Sequence, residues 1–245
     1  MPSGGFCVAN YRFFPLVASV FVTCLIVSNI MAVKLVSFGT LPVIGVLTLP
    51  AAVIIFPLSY IFGDVLTEVY GYARARQVIW IGFGCNALAV SAIWLGGLLP
   101  AAPVWTAGTY SSPDAAQQAY EAILGFTPRL LLASLTAYLF GEFLNSFVLA
   151  KLKVVTHGKW LWLRTISSTL AGQLVDSGIF IAIAFTGILP LAAIVQLAAA
   201  QWLFKSLYEI LATPLTYIAV HFLKRAEKLD HYDRQTNFNP LTVSS

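Results

Sequence analysis

Two carboxylate–amide pairs stand out because the sequence around them is so apolar. "GEFLN" carries Glu142 and Asn145, and "AGQLVDSGIFIAIAF" carries Gln173 and Asp176, each pair three residues apart. That spacing is close to one helical turn, so each pair shares a helix face, with no cation in the same apolar stretch to neutralise it. A carboxylate at the bilayer centre costs about 2.5–3.5 kcal/mol on insertion scales, so such residues are kept for a purpose. Hydrogen bonding between helices is one purpose. Lining a polar cavity accounts better for carboxylates that lack a counter-charge.

Further polar residues interrupt apolar sequence at Asn29, Asp64, Glu68, Lys205 and Glu209. Lys205 and Glu209, four apart, read as an ion pair within one helix. The alternative is that Lys205 neutralises Asp176 from a neighbouring helix. Asp64 and Glu68 repel each other at the same spacing and need basic neighbours, either Arg74, Arg76 or the 151–164 loop with Arg164. Tyr60, Phe140, Phe143, Phe180, Trp202 and Tyr208 lie on the same segments. A flat ligand held between rings, with carboxylates at its edge, fits that inventory, and so does ordinary aromatic packing. Pro57 and Pro214 are expected to kink their helices and free carbonyls beside such a cavity.

Enzyme chemistry is not indicated. His157, His221 and His231 fall in loops or near the inner end, and no nucleophile elbow, HExxH or P-loop is present. No cofactor or metal is expected. Cys7, Cys24 and Cys85 have no metal or CxxC spacing, and two of them sit in apolar runs as small hydrophobes.

The elements that must position these residues are membrane helices. The 245 residues are 59% hydrophobic and 10% charged, against about 25% charged in soluble domains. Mean hydropathy is +0.83. Apolar runs at roughly 14–34, 50–70, 78–99, 128–150, 165–188 and 192–223 are long enough to cross about 30 Å of hydrocarbon. The expectation is an all-α membrane protein, one domain over 1–245 with six transmembrane helices and a cytoplasmic tail at 224–245. Asp176, eleven residues past Thr165, then lies about 16 Å deep, near the midplane.

The first run is too long for a signal peptide and reads as a retained helix. Gly39, Pro42, Gly45 and Pro50 among β-branched residues predict a hairpin or re-entrant piece between the first two spans, with Thr48 as the next helix N-cap. Ser112 and Pro113 start a short outer helix with Ala116, Tyr120, Ile123 and Leu124 on one side. Eleven Lys and Arg residues fall on the internal segments of an N-in, C-in arrangement, against Lys34 and Arg129 outside. The net charge of +4 thus reflects topology and gives no argument for nucleic-acid binding. The tail beyond Lys224 is polar and is expected to be partly disordered.

"FPLSYIFGDVLTEVYGYARAR" and "GEFLNSFVLAKLKVVTHGKWLWLRTISSTLAGQLVDSGIFIAIAF", with the ending "YEILATPLTYIAVHFLKRAEKLDHYDRQTNFNP", resemble the queuosine-precursor transporter family, formerly grouped as vitamin uptake transporters. The resemblance runs over nearly the whole chain. It implies an inner-membrane importer of 7-cyano-7-deazaguanine, or of the 7-aminomethyl compound or queuine, for the queuosine modification of tRNA. Motif positions it carries over are Asp64, Thr67, Glu68, Tyr70, Gly71 and Arg74, then Glu142, Asn145, Lys151, Lys153, Trp162 and Arg164. Thr165, Ser168, Thr169, Gly172, Gln173, Asp176 and Ser177 complete the second motif.

On that reading Asp176, Gln173, Glu142, Asn145, Asn29, Tyr60, Phe143 and Lys205 are candidate ligand contacts. Asp64, Glu68, Arg74, Glu209 and Arg164 are candidates for coupling or structural charge. Asp176 would accept the adjacent N1–H and amine of the deazaguanine edge, and Gln173 or Asn145 would serve its carbonyl. The expected surroundings are this small molecule and lipid, with neither nucleic acid nor an ATPase module; a homodimer is compatible with them. The alternative is a binding subunit of an energy-coupling-factor transporter, which docks on an ATPase through Ala-x-x-x-Ala spacing. The first span offers Ser19/Thr23 and Ser28/Ala32 but no such alanine pair.

Overall fold

The computed structural model describes residues 11–41, 45–125 and 128–242; Cys7 and Pro42 lie outside them. Helix α1 (Phe14–Met31) leads into a hairpin of β1 (Leu35–Leu41) and β2 (Gly45–Pro50). A 3-10 turn (Ala51–Ile54), α2 (Phe56–Val65) and a π turn (Leu66–Tyr70) follow. The remaining helices are α3 (Tyr72–Leu98), α4 (Pro113–Leu124), α5 (Pro128–Val155), α6 (Leu161–Phe185) and α7 (Leu191–Glu227).

Among the described residues five helical stretches, containing α1, α3, α5, α6 and α7, are long and apolar enough to cross a membrane. The expected span 50–70 is helical but divided into three short pieces. Thr48 pairs with Ser37 in the hairpin, so it continues a strand instead of capping a helix. Pro57 occupies the first turn of α2, where its missing N–H is no loss, so it starts a helix and does not kink one. Gly71, at φ +86°, ends the π turn in a conformation that suits glycine. In the hairpin, Ser37–Thr48 and Thr40–Val46 leave one extra residue on β1, and Gly39 at φ +100° accommodates that bulge. Helix α7 runs through Pro214, which cannot donate to the Ile210 carbonyl.

Helix α5 packs along α6 more extensively than any other pair, and α6 then packs on α7; α3 meets α5 and α1, and α2 meets α1 and α7. Val17, Phe21, Ile61, Val65 and Val69 form the centre of the apolar core. Ser112 caps α4 by accepting from the Ala115 N–H at 3.2 Å. Gln117 and Tyr120 tie α4 to the Gly97 and Ile93 carbonyls at 2.8 and 3.0 Å.

The tail corrects the expectation of disorder. Through Thr242 it lies bound across the basic end of the bundle. Asp233 accepts from the Tyr72 N–H at 3.1 and 3.2 Å, satisfying an orphan donor at the start of α3. The buried Arg76 guanidinium donates to the Asn237 and Asn239 carbonyls, both at 2.8 Å. Trp80 donates to the Pro240 carbonyl at 2.8 Å, and the Lys151 ammonium sits 4.0 Å from the Phe238 ring centre. Nearby, Glu227 caps α1 by accepting from the N–H groups of Arg12 and Phe13 at 3.1 and 2.6 Å.

Candidate functional site

The two carboxylate–amide pairs come together because α5 and α6 cross at glycines. A Cβ on Gly141 would stand 2.8 Å from the Cβ of Asp176, and one on Gly172 would stand 2.8 Å from the Cβ of Asn145. With no side chain at either position the backbones approach closely, as at small-residue crossings in membranes. Glu142 and Asn145 are thereby set beside Gln173 and Asp176.

Beside this crossing lies a cavity of about 730 Å³ bounded by α1, α2, α5, α6 and α7. That size is within the range of roughly 300–1,000 Å³ of small-molecule sites. Three stripes at helical spacing face it: Tyr138, Glu142 and Asn145 on α5; Thr169, Gln173, Asp176 and Phe180 on α6; Gln201, Lys205 and Tyr208 on α7. Asn29 and Tyr60 also line it, and Asn29 donates to Asn86 on α3 at 3.0 Å.

Lys205 places its ammonium 2.5 Å from Asp176, each side chain 18% exposed. Glu209, four residues along the same helix, instead accepts from the Thr169 hydroxyl at 2.7 Å. The cross-helix alternative is therefore the one seen for Asp176. Asn145 donates to Asp64 at 3.0 Å, so its nitrogen is occupied and its oxygen is left over. Glu142 Oε2, Asn145 Oδ1 and Gln173 Oε1 are buried without hydrogen-bond partners. This wall has a surplus of acceptors, and it suits a ligand rich in N–H donors.

Three expected aromatics, Phe140, Phe143 and Trp202, are elsewhere. Phe143 follows Glu142 in sequence but points to another face, where it packs on Trp80 with ring centres 5.7 Å apart. Phe140 is 56% exposed. Phe180 and Tyr208 do line the cavity, while Trp202 donates to the Leu170 carbonyl at 3.0 Å. Tyr138, Ser59, Gln201 and Phe204 also line it and were not singled out by the sequence reading, which named the further lining residue Thr169 only as a motif position. For several the signal was present: Tyr138, Thr169 and Gln201 extend the polar pairs by one further helical turn.

Asp64 and Glu68 have separate partners: Asp64 accepts from the Asn145 amide, while Glu68, in the π turn, gathers cations. Glu68 is fully buried and accepts from Lys224 at 2.7 Å and Arg164 at 2.8 Å, with Lys153 at 3.4 Å. Lys153 donates to the Glu68 carbonyl and to Asp230, both at 2.6 Å, and Lys224 lies 2.8 Å from Asp230. Arg164 also donates to the Lys159 carbonyl. The 151–164 region therefore supplies the clamp, joined by Lys224. Arg74 does not: it bonds Gln77 at 3.3 Å and lies over the Tyr11 ring. Burial tends to raise the Asp230 carboxyl, but Lys153 and Lys224 more than offset it and hold the group below its ordinary value. Among the described residues no three His, Cys, Asp or Glu side chains gather as a metal set.

Comparison with known proteins agrees with this architecture. A family model described as "Putative vitamin uptake transporter" matches residues 50–219, which include the whole α5–α6 crossing. A protein of Bacillus subtilis (strain 168) named "Probable queuosine precursor transporter" is 34% identical over 166 residues, covering 67% of this chain and 69% of that relative. No solved structure matches the chain. A match over most of the chain, on a bundle of long apolar helices, identifies this multi-pass membrane protein as a member of the vitamin uptake transporter family.

Proposed function

We propose that this protein imports 7-deazaguanine precursors of queuosine through the inner membrane, with 7-cyano-7-deazaguanine the first candidate and the aminomethyl compound and queuine next. The observation that carries this reading is the acceptor-rich wall formed by Glu142, Asn145 and Gln173 inside the cavity. A deazaguanine presents ring N–H groups and an exocyclic amine, which such a wall can accept. The name of the Bacillus relative points to the same ligand class. Asp176 takes the donor edge once Lys205 is displaced, and Tyr60, Tyr138, Phe180, Phe204 and Tyr208 surround the ring plane. The charge bias orients the basic end, with its clamp and bound tail, toward the cytoplasm.

Cells unable to make 7-cyano-7-deazaguanine, given that compound and expressing this chain alone, should recover queuosine in tRNA. Recovery only when an energy-coupling-factor ATPase module is co-expressed would assign the chain to the binding-subunit class. No recovery by a well-expressed chain under either condition would remove the reading.

A further inference from the structure

Charge does not balance around the cavity. Among the described residues Glu142 and Asp176 line it, while Asp64 and Glu209 stand directly behind the lining residues Asn145 and Thr169. Lys205 is the sole cation among the described lining residues, and its ammonium sits on Asp176. The buried cations nearer the basic end, Lys153 and Arg164, are committed to Glu68, and Lys153 also to Asp230. One ammonium cannot neutralise four carboxylates. A carboxylate held away from water without a cation takes up a proton instead of staying ionised.

The four acids are not equivalent. Asp64 has the Asn145 amide and Glu209 has the Thr169 hydroxyl. Glu142 Oε2 is buried without a hydrogen-bond partner, 3.3 Å from where a Cβ would stand on Gly63. The titratable and charged groups that face Glu142 are Asp64 and Tyr60 from α2, Asp176 from α6, Lys205 and Glu209 from α7, and Tyr138 from its own helix. Glu68 lies beyond Asp64 and Cys85 of α3 beyond Tyr138; α1 offers Phe21 and Asn29, which do not titrate.

We propose that Glu142 is a proton site and that a proton travels through the membrane with the ligand, so that import is proton-coupled. The proposal rests on the import reading above. Its logic is a shared hydrogen bond. A protonated Glu142 can donate its O–H to the ligand's carbonyl, whereas an ionised one would face that carbonyl with a second acceptor, so ligand and proton are held together. Once the ligand has left, the Lys205 ammonium in the same cavity favours ionisation of Glu142 and the proton follows. The proton reaches the Glu142 carboxylate from the outer solution and leaves to the inner one; only an O–H bond is made and broken.

Purified protein in proteoliposomes containing a trapped pH dye tests this with 7-cyano-7-deazaguanine, which is neutral, so that interior acidification reports the proton. Ligand entry should acidify the interior, and an imposed pH gradient, acid outside, should drive accumulation. Glu142→Gln should move fewer protons for each ligand moved, and Glu142→Asp, which keeps a carboxyl, should retain the coupling. Infrared spectra of purified protein should contain a protonated-carboxyl stretch that Glu142→Gln loses, a readout that does not depend on transport. Ligand entry without acidification, indifferent to the gradient, overturns the proposal and leaves the import reading standing. A wild-type minus Glu142→Gln difference spectrum with no protonated-carboxyl band overturns the assignment to Glu142. No ligand entry at all removes the import reading itself.

Discussion

Gly141 of α5 and Gly172 of α6 face one another so closely that a Cβ on Gly172 would lie 3.0 Å from the Gly141 carbonyl oxygen. The contact is backbone to backbone, and the polar residues of both helices are arranged around it. A methyl there cannot be absorbed by rotating a side chain. Gly172→Ala should therefore separate the helices and destabilise the protein by about 1–3 kcal/mol, the usual cost of overpacking. Thermal unfolding in detergent reads the effect. Gly178→Ala in the same helix, where nothing lies within 4 Å of the added carbon, is the control and should behave as wild type.

The Lys205–Asp176 pair predicts which second substitution repairs a first. Lys205→Met leaves Asp176 as an uncompensated charge, a loss of roughly 3 kcal/mol for a largely buried pair. Adding Asp176→Asn should recover most of that stability, and adding Glu209→Gln should not, because Glu209 is held by Thr169. Melting temperatures of the three variants decide it. Repair by Glu209→Gln alone would restore the same-helix pair as the main interaction.

What the sequence made legible was local, and what it hid was contact between distant segments. The long apolar runs located α1, α3, α5, α6 and α7 to within a few residues, because hydrocarbon thickness dictates their length. Spacing put Glu142 with Asn145 and Gln173 with Asp176, and the cavity joins all four. The four-residue spacing set Glu68 near Asp64, but no spacing rule shows that Asp64 is held by the Asn145 amide while Glu68 alone gathers the cations. Phe143 was assigned to the cavity by nearness in sequence, although neighbouring residues on a helix point about 100° apart. The tail's polarity read as disorder because the donors that fix Asp230, Asp233 and the carbonyls of Asn237, Asn239 and Pro240 to the bundle include ones on α3 and α5, far away in the chain.

That tail carries a pH dependence whose sign follows from Asp233. Burial alone would raise its carboxyl, but hydrogen bonds from His231, Thr236 and the Tyr72 N–H outweigh burial and hold it below its ordinary value. The folded carboxyl binds its proton less readily than the unfolded one. Its contribution is therefore full above the unfolded value of about 3.9 and is lost as pH falls through the lower folded value. Pepsin should cut within residues 229–242 as pH is lowered through that window. Asp233→Asn should expose the same segment to proteases at neutral pH, where the wild-type tail resists.

Sidedness is a separate test. Reporter fusions near Gly108, in the connection between α3 and α4, should register outside, and fusions near His157, between α5 and α6, should register inside. A single α-helical crossing, α5, separates the two positions, so an odd number of crossings must lie between them for the bundle to be threaded this way. Reporters on the same side would overturn the six-crossing arrangement.

The most discriminating measurement uses the repaired variant. Asp176→Asn alone confounds two effects, since it removes an acceptor from the cavity and strands Lys205. In the Lys205→Met, Asp176→Asn double variant the charge is balanced, so a loss of binding is no longer a loss of fold. Asn keeps the shape of Asp but replaces one acceptor oxygen with an NH2 donor. If Asp176 takes the deazaguanine donor edge, one ligand N–H faces a donor in a dry site and a charge-assisted bond is gone. Binding of 7-cyano-7-deazaguanine to this variant should weaken by roughly 2–4 kcal/mol relative to wild type. Calorimetry on purified protein that melts as wild type does gives the answer. Near-normal affinity would mean that Asp176 and Lys205 serve each other and not the ligand, and that recognition belongs to the unpartnered acceptors of Glu142, Asn145 and Gln173.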